Sequence, residues 1–203
     1  MKKIALFDFD KTLTTEDTII LLWRYARDLK KTDRLEYANK ILKGSFGYIL
    51  KKDLKFFKNQ ICQVIHLFTE EELEQFADYV YENHMLKDGL KALKNLEVEY
   101  KMLVSASPQN YLKYFNKYLN FDVVIGTDLD KFCNILNENN KSYEKVRRIN
   151  EHLKEKGFEI DYETSMCFSD SYSADRPMFE MVKNRYLINS RKKIEGYENL
   201  NWK

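Results

Sequence analysis

Short runs of continuous apolar residues recur along this chain, separated by longer stretches in which apolar positions return at helical spacing. The clearest runs are Ile4-Ala5-Leu6-Phe7, Met102-Leu103-Val104 and Met166-Cys167-Phe168, with Asp122 to Ile125 and Tyr186 to Ile188 as weaker examples. A strand covered on both faces reads in this way, because helices shield each side of a parallel sheet. The expected framework is therefore α/β, with strands and helices alternating through right-handed crossovers. Between Thr15 and Lys87 the alternation stops and no strand pattern is present. Ile19, Ile20, Leu22, Trp23 and Ala26 repeat at helical spacing, as do Leu54, Phe57, Ile61, Val64 and Ile65. Thr69 followed by Glu72 has the form of a capping box and predicts a helix through Tyr81. A crossover needs roughly a dozen residues or more, and this segment is several times longer, so it is expected to be an inserted helical bundle. Elsewhere Ser107-Pro108 predicts a helix start running through Leu119, and Ser142 one running to Lys156 with Gly157 as its stop. Pro177 predicts a third start, through Val182.

Composition narrows the class. The 203 residues are 44% hydrophobic and include 13 Phe, 14 Tyr and 2 Trp, enough for a sizeable core. Lys and Arg number 34 against 32 Asp and Glu, so no bulk field points to nucleic acid or an anionic membrane. No apolar run approaches a bilayer span, and Lys2-Lys3 precede too few apolar residues to make a signal-peptide core. Cys62, Cys133 and Cys167 are odd in number and lack metal-ligand spacing, which fits reduced thiols in a cytoplasmic protein.

The chemistry-bearing residues gather where strands are predicted to end. Asp8 and Asp10 directly follow the first apolar run; in an extended backbone residues two apart share a face, roughly 6.5–7 Å apart. Open α/β sheets bind ligands at that end of their strands, although an acidic turn closing a strand is the plainer alternative. Asp170 and Asp175 follow another short strand in the same way. Four carboxylates on one rim would repel one another, and a hard divalent cation relieves that; few carboxylates plus phosphate and water suit Mg²⁺. Ser105 ends the Met102-Leu103-Val104 run, and the backbone N–H groups from Ala106 into the following helix would form an anion cradle. Lys145 and Lys141 are the alternatives for a cation facing that anion. Lys145 falls in a first helical turn, where a positive charge opposes the macrodipole. His66, His84 and His152 have no paired ligand spacing and read as packing or surface residues.

In this order the motifs resemble those of the haloacid dehalogenase superfamily of aspartyl-phosphate hydrolases, in its phosphoserine-phosphatase-like branch. The resemblance covers the chain nearly end to end: DFDKTLT at 8–14, Ser105 in LVSAS, Lys145 in SYEKVRRI and SDSYSAD at 169–175. Ser169 stands where the family often has Gly. The arginine that binds the substrate carboxylate in phosphoserine phosphatases has no counterpart near Lys58-Asn59, while Glu16 and Asp17 stand where those enzymes carry a cap acid.

The resemblance implies a three-layer Rossmann-like parallel sheet core, residues 1–14 and 88–203, with an inserted helical-bundle cap over 15–87. It implies Mg²⁺-dependent hydrolysis of a small-molecule phosphomonoester through an aspartyl phosphate on Asp8, with Asp10 as general acid and base. Asp8, Asp10 and Asp170 would hold the metal and Asp175 would support it; Ser105, Ala106 and Lys145 would hold the phosphate. The partner expected is that substrate alone, with no nucleic acid and no membrane, on a monomer or homodimer. A phosphotransferase or mutase of the same superfamily and a non-catalytic phospholigand-binding protein are the competing expectations. A receiver domain would lack the long insertion after the first motif.

Overall fold

The computed structural model describes residues 1–51 and 54–203. One sheet is built from β1 (Ile4–Phe7), β2 (Tyr100–Pro108), β3 (Val123–Thr127), β4 (Met166–Ser169), β5 (Asn184–Ile188) and β6 (Glu198–Leu200). Its order is β3-β2-β1-β4-β5-β6 and every neighbouring pair is parallel. Phe7 pairs with Leu103 on one side and with Phe168 on the other, so β1 is central and ends between β2 and β4. Strand order reverses at β1, which is where open α/β sheets place their ligands.

Helices α1 (Thr18–Asp28), α2 (Arg34–Lys51), α3 (Leu54–Cys62) and α4 (Glu70–Asn83) follow β1, with a 3₁₀ turn at Gln63–Leu67 between the last two. Next come α5 (Lys87–Asn95), then α6 (Gln109–Leu112) and α7 (Asn116–Leu119) separated by a 3₁₀ turn at Lys113–Phe115. Helices α8 (Tyr143–Lys156) and α9 (Tyr172–Phe179) complete the set. Successive strand residues point to opposite faces, and both faces here are covered. Ile4, Leu6, Met102, Val104 and Cys167 pack with Ile149 and Leu153 of α8 and Met178 and Phe179 of α9. Ala5, Phe7, Leu103 and Phe168 share the other core with residues of α1, α4, α5, α6 and α7. The result is a three-layer Rossmann-like core with an inserted helical cap, as the resemblance implies, and the apolar pattern predicts its α/β alternation and its helical insertion.

Within the insertion α2 lies close against α3. A Cβ on Gly44 would come 2.7 Å from Cδ2 of Phe57, so glycine permits that approach. The opposite side of α2 carries exposed Leu35, Leu42, Phe46 and Ile49. Among the described residues no helix is long and apolar enough to cross a membrane, and all three cysteines are buried and unpaired.

Three local expectations need correction. Ser107-Pro108 does not open a helix: β2 runs through Pro108, the helix begins at Gln109, and the stretch to Leu119 is broken by the 3₁₀ turn. The Ser107 hydroxyl is taken by Asp10, which removes it as a cap. Ser142 stands before α8 as expected but at φ 55° and without a side-chain cap, while Gly157 ends that helix at φ 68° in the left-handed region. Helix α9 starts at Tyr172, before Pro177, because the Ser171 side chain accepts from the Ala174 N–H at 3.4 Å; it ends at Phe179 instead of Val182. The edge strand β6 has no clear apolar signature and was not expected.

Candidate active site

Asp8 extends β1 by one residue, its N–H donating to Phe168 O at 2.9 Å. The chain then turns sharply: the N–H groups of Thr12 and Leu13 donate to Phe9 O at 3.1 and 2.8 Å, with Lys11 at φ 59°. Asp10 therefore sits in a turn, and the extended-backbone spacing drawn from the sequence does not describe it. Thr12 ties two loops together, its hydroxyl donating to Asp8 Oδ2 at 3.1 Å and accepting from the Asp170 N–H at 3.0 Å.

The first turn of α8 delivers Lys145 into the same place. Its Nζ lies 2.7 Å from Asp8 Oδ1 and 2.8 Å from Asp175 Oδ1, and the residue is 1% exposed. Asp175 Oδ1 has that ion pair but no hydrogen bond, while Oδ2 accepts from the Ser169 hydroxyl at 2.6 Å. Asp10 is held from the opposite side. Its Oδ1 accepts from the Thr18 N–H at 2.7 Å and the Thr18 hydroxyl at 2.6 Å, and its Oδ2 from Ser107, which in turn accepts from the Tyr111 hydroxyl at 3.1 Å.

Burial dominates the acid–base character of these groups. It pushes Asp8 up to about 7, with Lys145 pulling the other way and Asp175 adding to the rise. Burial also raises Asp10 against the hydrogen bonds from Ser107 and Thr18. For Lys145 burial opposes the charge, yet Asp175 and Asp8 outweigh it and hold the ammonium above its ordinary range. Asp170 is pushed up to about 6, by burial first and then by Asp175.

A cleft of ≈ 500 Å³ is lined by Asp8, Asp10, Asp17, Ser105, Ala106, Lys141, Lys145, Asp170 and Asp175, together with residues of α1 and α3. Of the two candidate lysines it is Lys145 that reaches Asp8; Lys141 is exposed at the rim. Glu16 does not line the cleft, its carboxylate pairing with Arg24 at 2.7 Å on the exposed surface, and Asp17 is paired with Lys11. A larger hollow of ≈ 930 Å³ near Lys2, Phe158 and Met181 contains none of these carboxylates.

Several functional neighbours escaped the sequence reading. Thr12 and Ser107 stand inside the quoted motifs, but nothing in their spacing names Asp8 and Asp10 as partners. Thr18 and Ser169 are equally silent. Lys58 on α3 enters the cleft and donates to Ala106 O and to Asn139 Oδ1, and burial pulls it down to about 8. Its signals are a place on the same helical face as Leu54 and Ile61 and a position where the resemblance looks for a substrate-binding arginine.

No group of His, Cys, Asp or Glu among the described residues is gathered closely enough to make a ready metal cage. Asp175, expected to support the metal, lies against Lys145 and Ser169, as Asp8 lies against Lys145 and Thr12. The set expected to hold the metal directly is all oxygen: the Asp8 carboxylate, the Asp10 main-chain carbonyl and the Asp170 carboxylate, donors that suit a hard cation. Among the described residues the Asp170 carboxylate accepts no hydrogen bond and has no ion pair, which leaves it available for such a role.

The family model described as haloacid dehalogenase-like hydrolase matches residues 5–180. The chain belongs to this family. As a haloacid dehalogenase-like hydrolase it shares its fold with solved structures of low sequence identity. A protein of unknown function from Bordetella pertussis Tohama I aligns at a TM-score of 0.77 and 17% identity, over 98% of this chain and 99% of that one. A had family hydrolase from Salmonella enterica serovar Typhi aligns at 0.67 and 14%, over 98% and 68%. A structure described as a phospho-aspartyl intermediate analogue of phosphoserine phosphatase aligns at 0.59 and 18%, over 93% and 87%. At these identities the likeness is one of fold alone. No curated protein matches the chain by sequence.

Proposed function

We propose that this hydrolase is a phosphoric monoester hydrolase of the phosphoserine-phosphatase-like branch, working through an aspartyl phosphate on Asp8. Residues 15–87 would be its cap and 1–14 with 88–203 its catalytic core, in a reducing cytoplasm that keeps the three buried thiols free. The observation that carries this reading is the meeting of Asp8, Asp10, Lys145 and Asp170 around one cleft at the switch point of the sheet.

Phosphoryl transfer asks for alignment and charge neutralisation more than for difficult covalent chemistry. In the proposed cycle Asp8 attacks phosphorus from the end of the central strand, where Thr12 and Lys145 fix the orientation of its two oxygens. Lys145 offsets the charge of the incoming phosphate, and the Ser105 hydroxyl and Ala106 N–H receive its oxygens. Asp10 gives a proton to the departing oxygen and takes one from the water that later hydrolyses the acyl phosphate. Thr18 and Ser107 hold the Asp10 carboxyl in place for both transfers. When bound, Mg²⁺ held by Asp8, the Asp10 carbonyl and Asp170 would neutralise charge on the transferring group. The cap limits water and chooses the leaving group.

The decisive experiment is phosphate release from a generic aryl phosphate by the whole chain in Mg²⁺. Turnover that falls at least about a thousandfold in Asp8→Asn and about 10²–10⁴-fold in Asp10→Asn is the expected result. An Asp8→Asn protein with full turnover would refute the nucleophile.

A further inference from the structure

Above its carboxylates the cleft changes character. Ile19 of α1 and Leu54, Phe57 and Ile61 of α3 make up the apolar part of the wall contributed by the insertion, beside Asp17 and Lys58. The three α3 residues follow one another at intervals of three and four, so they occupy one face of the helix over about 10 Å of its axis. Leu54 is 61% exposed, and Phe57 and Ile61 are half-buried, so apolar surface is left facing the hollow. Few groups here could receive a charged leaving group. Asp17 is paired with Lys11, and Glu16 with Arg24 outside the cleft. Lys58 is engaged by Ala106 O and Asn139 Oδ1, and Lys141, outside the insertion, stands exposed at the rim. Among the described residues, no carboxylate on the insertion side of the cleft stands unpaired to accept an ammonium.

Given phosphomonoester hydrolysis at this site, we propose that the leaving group is an uncharged apolar chain or ring lying on Ile19, Leu54, Phe57 and Ile61. The substrate is then an amphiphilic phosphomonoester and not a phosphorylated amino acid. The bond between phosphorus and the leaving oxygen breaks, the alcohol departs with the proton from Asp10, and water supplies the oxygen that completes inorganic phosphate. This deepens the hydrolase reading and rests on it.

The test is kcat/KM in Mg²⁺ for n-alkyl phosphates from ethyl to octyl, kept below micellar concentrations, beside O-phosphoserine. Leaving-group basicity hardly changes along the alkyl series, so a trend reports contact with the wall. The expected result is a rise of about fourfold per methylene, the equivalent of about 0.8 kcal/mol, with O-phosphoserine below the shortest alkyl esters. Phe57→Ser and Ile61→Asn should flatten the slope and Phe57→Leu should keep it, with a cooperative thermal transition well above the assay temperature certifying the fold of each variant. A flat series, or a preference for O-phosphoserine, overturns the apolar leaving group while leaving the hydrolase standing. Absence of turnover with every ester overturns the hydrolase and this inference with it.

Discussion

An ammonium taken out of water costs several kcal/mol unless opposite charge meets it. Lys145 is met by two carboxylates, at 2.7 and 2.8 Å. Replacing it by Met leaves the buried Asp8 and Asp175 without the ammonium that meets them, and a loss of about 3–5 kcal/mol is expected at pH 8. The sign of the pH dependence follows from Asp8. Its folded pKa, about 7, lies above the ordinary carboxyl value of 3.8, so the folded state favours the proton. That contribution is complete at low pH and is lost as pH rises through about 7. Lys145→Met should therefore be closer to wild type at pH 5.5 than at pH 8 in urea unfolding. At this scale the sequence showed which residues carry charge and, through the macrodipole, that Lys145 is oddly placed. It did not show Thr12, Thr18, Ser107 and Ser169 as their partners, because a hydroxyl in a loop has the same signature whether it faces solvent or a carboxylate.

Elements whose ends are decided by local hydrogen bonds were the most legible. The Thr69–Glu72 box is present in full, with Thr69 N–H donating to Glu72 at 2.9 Å and Glu72 N–H to Thr69 at 3.2 Å. Thr69→Ala should cost about 1 kcal/mol, read as a lower denaturation midpoint with an unchanged slope. The α2–α3 contact is of the opposite kind. Gly44 lies inside α2, and its importance comes from the Phe57 ring lying 2.7 Å from where a Cβ would stand. Gly44→Val should lose about 1–3 kcal/mol by overpacking, measured in the same way. The misread starts at Ser107 and Pro177 share one cause: a side chain suited to a helix start served a distant carboxylate in the first, and a better cap lay upstream in the second.

Across the whole molecule the insertion shares an apolar core with the sheet through α1 and α4, and its α3 end adds polar ties to β2 and to the loop after β3. Lys58 reaches Ala106 and Asn139, Asn59 Oδ1 accepts from the Ile135 N–H at 2.9 Å, and Gln63 donates to Phe132 O at 2.8 Å. The Lys58 junction should be visible in the pH dependence of stability. Burial lowers its pKa to about 8, so between about 8 and 10.5 the unfolded chain binds more protons than the folded one. Stability contributed by this group rises with pH across that window. Comparing thermal midpoints at pH 7.5 and 10, Lys58→Met should lack that rise relative to wild type.

What this chain's sequence settled alone was the alternation of buried strands and helices, the long helical interruption and the presence of four acids shortly after two of the strands, because apolar periodicity and local caps act over a few residues. Which hydroxyls hold those acids, that Lys145 bridges Asp8 and Asp175, and that an apolar face of α3 looks across at them were decided by folding. Those relations depend on contacts between segments as much as 158 residues apart, as Thr12 and Asp170 are, and no local pattern in the chain encodes a distance of that kind.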